Sequence, residues 1–311
     1  MKISTHCKRP FMRSGLPFGC GQCMPCRIKR RRLWVHRNLL ESRLHGDSSF
    51  LTLTYDEAHH AELGEPYSLD FRHHHNFIQT LRRKFKTNPI RYYGVGEYGE
   101  RSGRPHFHYL LYGYPACSGS RCKDPRYACQ ACSIVRDAWG KGYIYLGDVT
   151  KDSISYVASY VTKGWTKEND FNRVALNSRV PESARMSQAI GGKAIDAIAD
   201  SFINDVTFSE LFLGSEGDVP SVLKTDGRLY PIGRYLKSRF RKRLGWNETN
   251  LPEDKLNEWK KEMQELYETH FKDAPFTPRD SDKKGLLQEL SRDAITCIES
   301  KFKKYNLQGA L

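Results

Sequence analysis

Residues 91–112 read RYYGVGEY, then GERSGR, then PHFHYLLY, and this stretch decides the fold. Two β-prone runs, Arg91–Tyr98 and Pro105–Tyr112, flank the turn residues Gly99-Glu100-Arg101-Ser102-Gly103, so the stretch reads as a β-hairpin. His106 and His108 stand two apart on the second arm. Their imidazoles therefore share a face, about 7 Å apart by strand rise, while Phe107 points the other way into a core. Glu97 lies on the first arm, nine residues before His106, where a short hairpin brings its carboxylate beside the imidazoles. Two nitrogens and one carboxylate with open positions suit Mg²⁺ or Mn²⁺ polarising a phosphate oxygen.

The flanking elements extend the pattern. Ser49-Phe50-Leu51-Thr52-Leu53-Thr54-Tyr55 alternates as a half-buried strand, and Ser68 starts a helix reaching about Lys86 with Phe71, His75, Ile78, Leu81 and Phe85 as its inner stripe. After the hairpin come a short helix through Trp139, a strand over Tyr143–Val149, and a helix from Asp152 or Ser153 to Lys163. The string β-α-β-β-α-β is the split-βαβ pattern: an α+β fold with an antiparallel sheet and flanking helices. Such folds carry many functions, so function has to come from the site.

Around this core, residues 1–46 read as a cysteine-rich basic segment and 47–167 as the sheet domain, with a cysteine insertion at 117–132. Residues 168–245 give no clear periodicity. Residues 246–311 read as a helical accessory, with helices at 252–272 and 283–304. The chain has 311 residues and carries a net charge of +14, from 50 Lys and Arg against 36 Asp and Glu. Eleven of the cations fall in residues 1–50 against Glu41 and Asp47 alone, giving that segment +9. A basic face this concentrated favours a polyanion, nucleic acid before membrane. A long apolar run and a signal-peptide pattern are both missing, so the expectation is a soluble intracellular protein without a membrane partner.

Eight of the nine cysteines form two groups of four: Cys7, Cys20, Cys23 and Cys26, and Cys117, Cys122, Cys129 and Cys132. Each group suits either a closed tetrahedral zinc site or ordinary reduced thiols. Cys297 reads as a small buried residue. The first group runs into a basic helix on which Ile28, Val35 and Leu39 share a face, leaving Arg27, Lys29, Arg30, Arg31 and Arg32 for phosphate contacts or a solvated face. The runs His59-His60 and His73-His74-His75 read as solvated or core-edge histidines, because neighbours on a helix diverge by about 100°. Trp34, Trp139 and Trp165 read as core anchors.

Tyr156 and Tyr160, four apart on the last helix, share a face, with Lys163 following on that side and Val157 and Val161 on a neighbouring one. They are either two surface tyrosines or a pair of phenol nucleophiles, which need a polarised phosphate and a nearby cation.

The strand with Pro105-His106-Phe107-His108, the strand Leu51-Thr52-Leu53-Thr54-Tyr55 and the Tyr-x-x-x-Tyr-x-x-Lys helix together resemble the three motifs of the HUH endonucleases. Cys20-Gly21-Gln22-Cys23-Met24-Pro25-Cys26-Arg27 before a basic helix, and Gly96-Glu97-Tyr98-Gly99 before Gly103-Arg104-Pro105-His106, are similar to the replication initiators of gokushoviruses, small single-stranded DNA phages. The resemblance covers residues 7–165, apart from the second cysteine group. It implies an HUH-like fold and a rolling-circle initiator that nicks and rejoins single-stranded origin DNA through a 5′-phosphotyrosine. Tyr156 and Tyr160 would be alternating nucleophiles and Lys163 a charge stabiliser. His106, His108 and Glu97 would be metal ligands. The enzyme would work with host replication machinery in the cytoplasm of a bacterium. The alternatives are a zinc-stabilised DNA-binding protein without catalysis, and a single-strand transposase, against which the paired phenols count.

Overall fold

The structure is a computed structural model that describes residues 6–99, 102–122, 124–163, 179–205, 218–246 and 253–308. Its chain divides into two compact units, one of Leu33–Ile198 with Lys224–Tyr230, the other of Met1–Arg32, Ala199–Leu223 and Pro231–Leu311.

The first unit is built on a five-stranded antiparallel sheet of β3 (Ser48–Tyr55), β4 (Arg91–Tyr98), β5 (Pro105–Tyr112), β6 (Gly142–Asp148) and β7 (Ser183–Met186), in the order β6-β3-β5-β4-β7. Here β3 and β4 run parallel with β5 between them, and β5 and β6 run parallel with β3 between them. This is the split-βαβ arrangement expected from the element order. The alternation of β3 decides its faces: Leu51, Leu53 and Tyr55 are buried while Phe50, Thr52 and Thr54 are half-exposed. The first set packs with Phe107 and Tyr109 beneath α3 (Phe71–Lys84) and α4 (Gln130–Trp139), using Phe77, Ile78, Leu81, Val135 and Trp139. On the opposite face Tyr93, Val95 and Leu110 meet Val35 and Leu39 of α1 (Met24–Ser42) and Ile154, Val157 and Ala158 of α5 (Lys151–Lys163). A short helix α2 (Glu57–Glu62) follows β3.

Several expectations change. Helix α3 ends at Lys84 and starts after Asp70, whose carboxylate accepts the Arg72 N–H at 2.8 Å. Ser68 is engaged elsewhere, its hydroxyl accepting the Val180 N–H at 2.8 Å. The buried stripe of α3 is His74, Phe77, Ile78 and Leu81, with His75 exposed. The shift is possible because His74 is satisfied inside: its Nδ1 lies 2.9 Å from the Tyr109 hydroxyl and its ring stacks on Tyr109. Strand β7 comes from the stretch that gave no periodicity. It is held by backbone pairing and by Ser187, whose N–H donates to the Tyr92 carbonyl at 2.8 Å. Trp139 is a core anchor, Trp34 is partly buried, and Trp165 lies outside the described residues.

In the second unit β1 (Phe11–Arg13) pairs with β2 (Leu16–Phe18). Helices α8 (Glu253–His270), α9 (Asp280–Leu290) and α10 (Arg292–Gln308) follow α6 (Gly192–Asn204) and α7 (Gly233–Arg243), and β8 (Val222–Thr225) with β9 (Arg228–Pro231) forms a separate two-stranded sheet. Leu16, Met263, Tyr267, Leu286 and Leu287 make the unit's small core. The single C-terminal helix expected over 283–304 is two helices meeting at Ser291, and Cys297 is exposed on the second, not buried.

Candidate active site

The hairpin register places Glu97 directly opposite His106, with His108 on the next row of the same face. Glu97 Oε1 lies 2.5 Å from His106 Nε2 and 2.7 Å from His108 Nε2. The imidazole centroids are 4.8 Å apart and perpendicular. That is closer than strand rise alone gives, because both rings turn toward one carboxylate oxygen. The far nitrogens are fixed as well. His106 Nδ1 donates to the Arg104 carbonyl at 3.0 Å, and His108 Nδ1 lies 2.9 Å from the Thr52 hydroxyl. Outer partners of this kind orient metal-binding imidazoles.

The electrostatics follow from burial and convergence. Burial pushes the Glu97 carboxyl up, but the hydrogen bonds from both imidazoles outweigh it and hold the group below the usual carboxylate range. Burial would lower His106, yet its contact with Glu97 prevails and raises it; at His108 burial prevails and the imidazole falls. The three ligand atoms lie within 4.8 Å of one another. One carboxylate oxygen in reach of two Nε2 atoms is a donor set closing on a point, and its mixed N/O chemistry fits a divalent ion such as Mg²⁺ or Mn²⁺.

Helix α5 crosses this face and brings both tyrosines to His108. The Tyr156 hydroxyl is 3.3 Å from His108 Nε2, and its ring meets the imidazole edge-on at 5.1 Å. Tyr160 lies nearly parallel to the same imidazole, 5.9 Å away at 14°. The two phenol rings are perpendicular at 5.2 Å. Their exposures differ: Tyr156 is 43% exposed and Tyr160 only 6%. Burial, reinforced by the Glu97 charge, pushes the Tyr160 phenol well above its ordinary value. Lys163 closes the helix, and its side chain lies outside the described structure, as does that of Val161.

Sequence reasoning missed Phe50 and Thr52 as part of the site. Phe50 stacks on His108 at 5.8 Å and 11°, and meets Tyr156 edge-on at 6.3 Å. The signal was present in the alternation of β3, which sends Phe50, Thr52 and Thr54 to the face opposite Leu51 and Leu53.

Both cysteine groups converge. In each, the four Sγ atoms lie within 4.8 Å of one another. Cys7 Sγ accepts the N–H groups of Arg9 and Cys20 at 3.4 and 3.2 Å, and Cys20 Sγ accepts those of Gln22 and Cys23 at 3.4 and 3.3 Å. A hydrogen bond with the Cys26 thiol draws Cys23 down to about 4. In the second group Cys122 Sγ accepts the Cys129 N–H at 3.2 Å, and Cys129 caps α4. Only glycine fits at 119, where a Cβ would come within 2.5 Å of Cys122 Sγ. Four convergent sulfurs with backbone donors aimed at them suit zinc. On the basic helix, Arg30 Nη2 donates to the Gly21 carbonyl at 3.2 Å, tying the helix to its cysteine loop. Lys29 and Arg32 are exposed, and Arg27 and Arg31 partly so.

Residues 48–165 match a family model of phage-type replication-associated proteins, the ORF2 group. The chain is 32% identical over 220 residues to Replication-associated protein VP4 of Bdellovibrio phage phiMH2K, covering 65% of each chain. It is 32% identical over 187 residues to Replication-associated protein ORF4 of Chlamydia phage 1, covering 56% of this chain and 45% of the relative. It is 31% identical over 182 residues to Replication-associated protein ORF2 of Spiroplasma virus 4, covering 56% and 55%. The matches thus span between 45% and 65% of the length of these relatives. No solved structure matches. The resemblance to phage replication proteins that the motifs carry is found again in these comparisons. Among the described residues, no helix is long and apolar enough to cross a membrane.

Proposed function

We propose that this relative of phage replication-associated proteins initiates rolling-circle replication of viral DNA, nicking and rejoining single-stranded origin DNA through a 5′-phosphotyrosine. The observation that carries the reading is the meeting of two phenols with a convergent Glu/His/His set on one face of an antiparallel sheet. The HUH-like reading of the fold rests on the same arrangement.

A divalent ion held by Glu97, His106 and His108 would polarise the scissile phosphate and offset its charge. Everything else is done by the chain. Tyr156 attacks phosphorus in line: its O–P bond forms, the P–O3′ bond breaks, and the phenol proton is balanced by the one gained on the freed 3′-hydroxyl. The product keeps the DNA on the enzyme and leaves a primer end for the host polymerase. Tyr156 takes the first cut because its hydroxyl is the exposed one beside His108. Tyr160, buried and with a raised phenol pKa, acts on the regenerated origin once the first tyrosine is esterified. Lys163 supplies positive charge at the phosphate. Arg27, Lys29, Arg30, Arg31 and Arg32 hold the DNA backbone without reading sequence. The two cysteine groups hold zinc as structural staples. The setting is the cytoplasm of a bacterial host, with the host replication machinery as partner.

Incubation with a labelled single-stranded DNA library and Mn²⁺, followed by a denaturing gel, tests the reading. The expected result is a covalent protein–DNA band that needs metal, survives each single Tyr→Phe change at reduced yield and vanishes in the double variant. Tight binding without any covalent band would favour the non-catalytic DNA-binding protein.

A further inference from the structure

We infer that Tyr143 and Tyr145 form a base-stacking platform that guides single-stranded DNA to the tyrosine site, an inference that rests on the nicking reading above. Among the described residues, strand β6 is the open edge of the sheet, bonded to β3 on one side. Its side chains divide cleanly. Ile144 and Leu146 join the core under α3 and α4. Tyr143 and Tyr145 point to the other face, the one that carries the donor set.

The register fixes how they relate to the site. Tyr143 stands opposite Thr54, which stands opposite His106, which stands opposite Glu97. Tyr145 stands opposite Thr52, which stands opposite His108. Directly opposed residues of an antiparallel ladder share a face. Two rows thus run from the sheet edge inward, each starting with a tyrosine and ending at the metal ligands.

These tyrosines are 64% and 57% exposed, so the core does not account for them. Natural edge strands are usually blunted with charge or proline, whereas this one presents two aromatic faces. Tyr145 is also held in place. Its ring lies over Gly147, where a Cβ would come within 3.0 Å of the phenol oxygen, and it meets Phe50 edge-on at 6.1 Å. Phe50 touches both His108 and Tyr156. The aromatic surface is therefore continuous from the edge strand to the nucleophile.

The occupant this surface fits is an unpaired strand. Base–aromatic stacking tolerates any base because every base has a π-face, and tyrosine offers a rigid ring at low entropic cost. The two rings sit about 7 Å apart along the strand, which makes two separate platforms for splayed bases and not one stacked pair. Bases inside a duplex have their faces already covered by neighbours. The platform therefore selects single strands and delivers the phosphate beside them to Tyr156.

The test uses the full chain carrying Tyr156→Phe and Tyr160→Phe, without added divalent ion, so that binding is read apart from chemistry. Fluorescence anisotropy with labelled oligothymidine should show Tyr143→Ala plus Tyr145→Ala weakening binding by about tenfold or more. Tyr143→Phe plus Tyr145→Phe should hold affinity within about twofold, because the ring is kept. The slope of log affinity against log salt should not change, because phosphate contacts are untouched. Full affinity in the alanine variant, with the melting temperature unchanged, would overturn the platform. Equal losses in the phenylalanine variant would also overturn it, by assigning the effect to the hydroxyls. If the alanine variant binds normally while the native chain forms a covalent adduct, the platform fails and the nicking function stands. If binding falls as expected but the native chain gives no adduct, the platform stands and the nicking function fails.

Discussion

The Glu97/His106/His108 set and the Cys117/Cys122/Cys129/Cys132 group are both convergent donor clusters in one compact unit, yet they are built in opposite ways. The first stands on paired strands, where the hairpin register alone puts a carboxylate opposite an imidazole. It offers three mixed N/O ligands and has two phenols beside it. The second is assembled from a loop and the first turn of α4, and offers four sulfurs. A three-ligand set with an approach for substrate suits catalysis, whereas a saturated thiolate set suits structure. Rigid elements hold reacting groups more accurately than loops do, while loops gain most from a staple.

The largest effect expected from this contrast is on chemistry. His106→Ala should reduce nicking by at least about a hundredfold while leaving affinity for single-stranded DNA nearly intact, as loss of transition-state electrostatics typically does. Single-turnover cleavage and anisotropy together check it. Equal losses of binding and cleavage would erase the distinction between the two clusters.

Metal removal should separate them further. Metal analysis should find zinc bound by the cysteine groups and lost at Cys132→Ser, with a clear fall in melting temperature, because structural zinc supplies about 10–16 kcal/mol of apparent binding energy. Removing the divalent ion from the Glu/His/His set should stop nicking and leave the melting temperature almost unchanged. If zinc loss instead stopped nicking without unfolding, the assigned roles would be reversed.

Much of this contrast was legible in the sequence, for physical reasons. A period of two on a strand has no ambiguity of face, so PHFHYLLY placed His106, His108 and Phe107 correctly. A helix face is wider and easier to misalign. The stripe of α3 centres on His74, a residue that sequence reasoning sends outward unless its buried partner Tyr109 is known. Strand β7 has four residues and no apolar alternation, so only its pairing with β4 reveals it. Phe50 could have been found, since it alternates with Leu51 and Leu53. Its stacking on His108 could not.

Smaller effects sharpen the scaffold side of the comparison. Phe107→Ala, on the far side of the strand from the histidines, should cost about 3–5 kcal/mol in denaturant unfolding by opening a cavity. Glu41 is a buried carboxylate paired with Arg91 at 2.5 Å and accepting the Gly191 N–H at 2.6 Å. Burial pushes its carboxyl up, but Arg91 and Gly191 outweigh this and hold it low. A carboxyl with a lowered folded pKa stabilises above its unfolded range, and that stability is lost as pH falls through the folded value. Unfolding followed from neutral to acid pH should therefore show a loss in the native chain that Glu41→Gln reduces.

His74 adds a weaker acid-side slope, because burial lowers it from 6.5 to about 4. Protonation then favours the unfolded chain as pH falls from near 6.5 toward 4. His74→Gln should flatten that part of the curve. An unchanged slope would remove His74 from the account.

The most direct measurement of the central claim is peptide mapping by mass spectrometry after one turnover on single-stranded DNA with Mn²⁺ and nuclease trimming. A nucleotide joined through a 5′-phosphate to Tyr156, moving to Tyr160 in the Tyr156→Phe variant, is the predicted result. An adduct on any other residue, or cleavage that leaves no adduct on either tyrosine, would contradict the account.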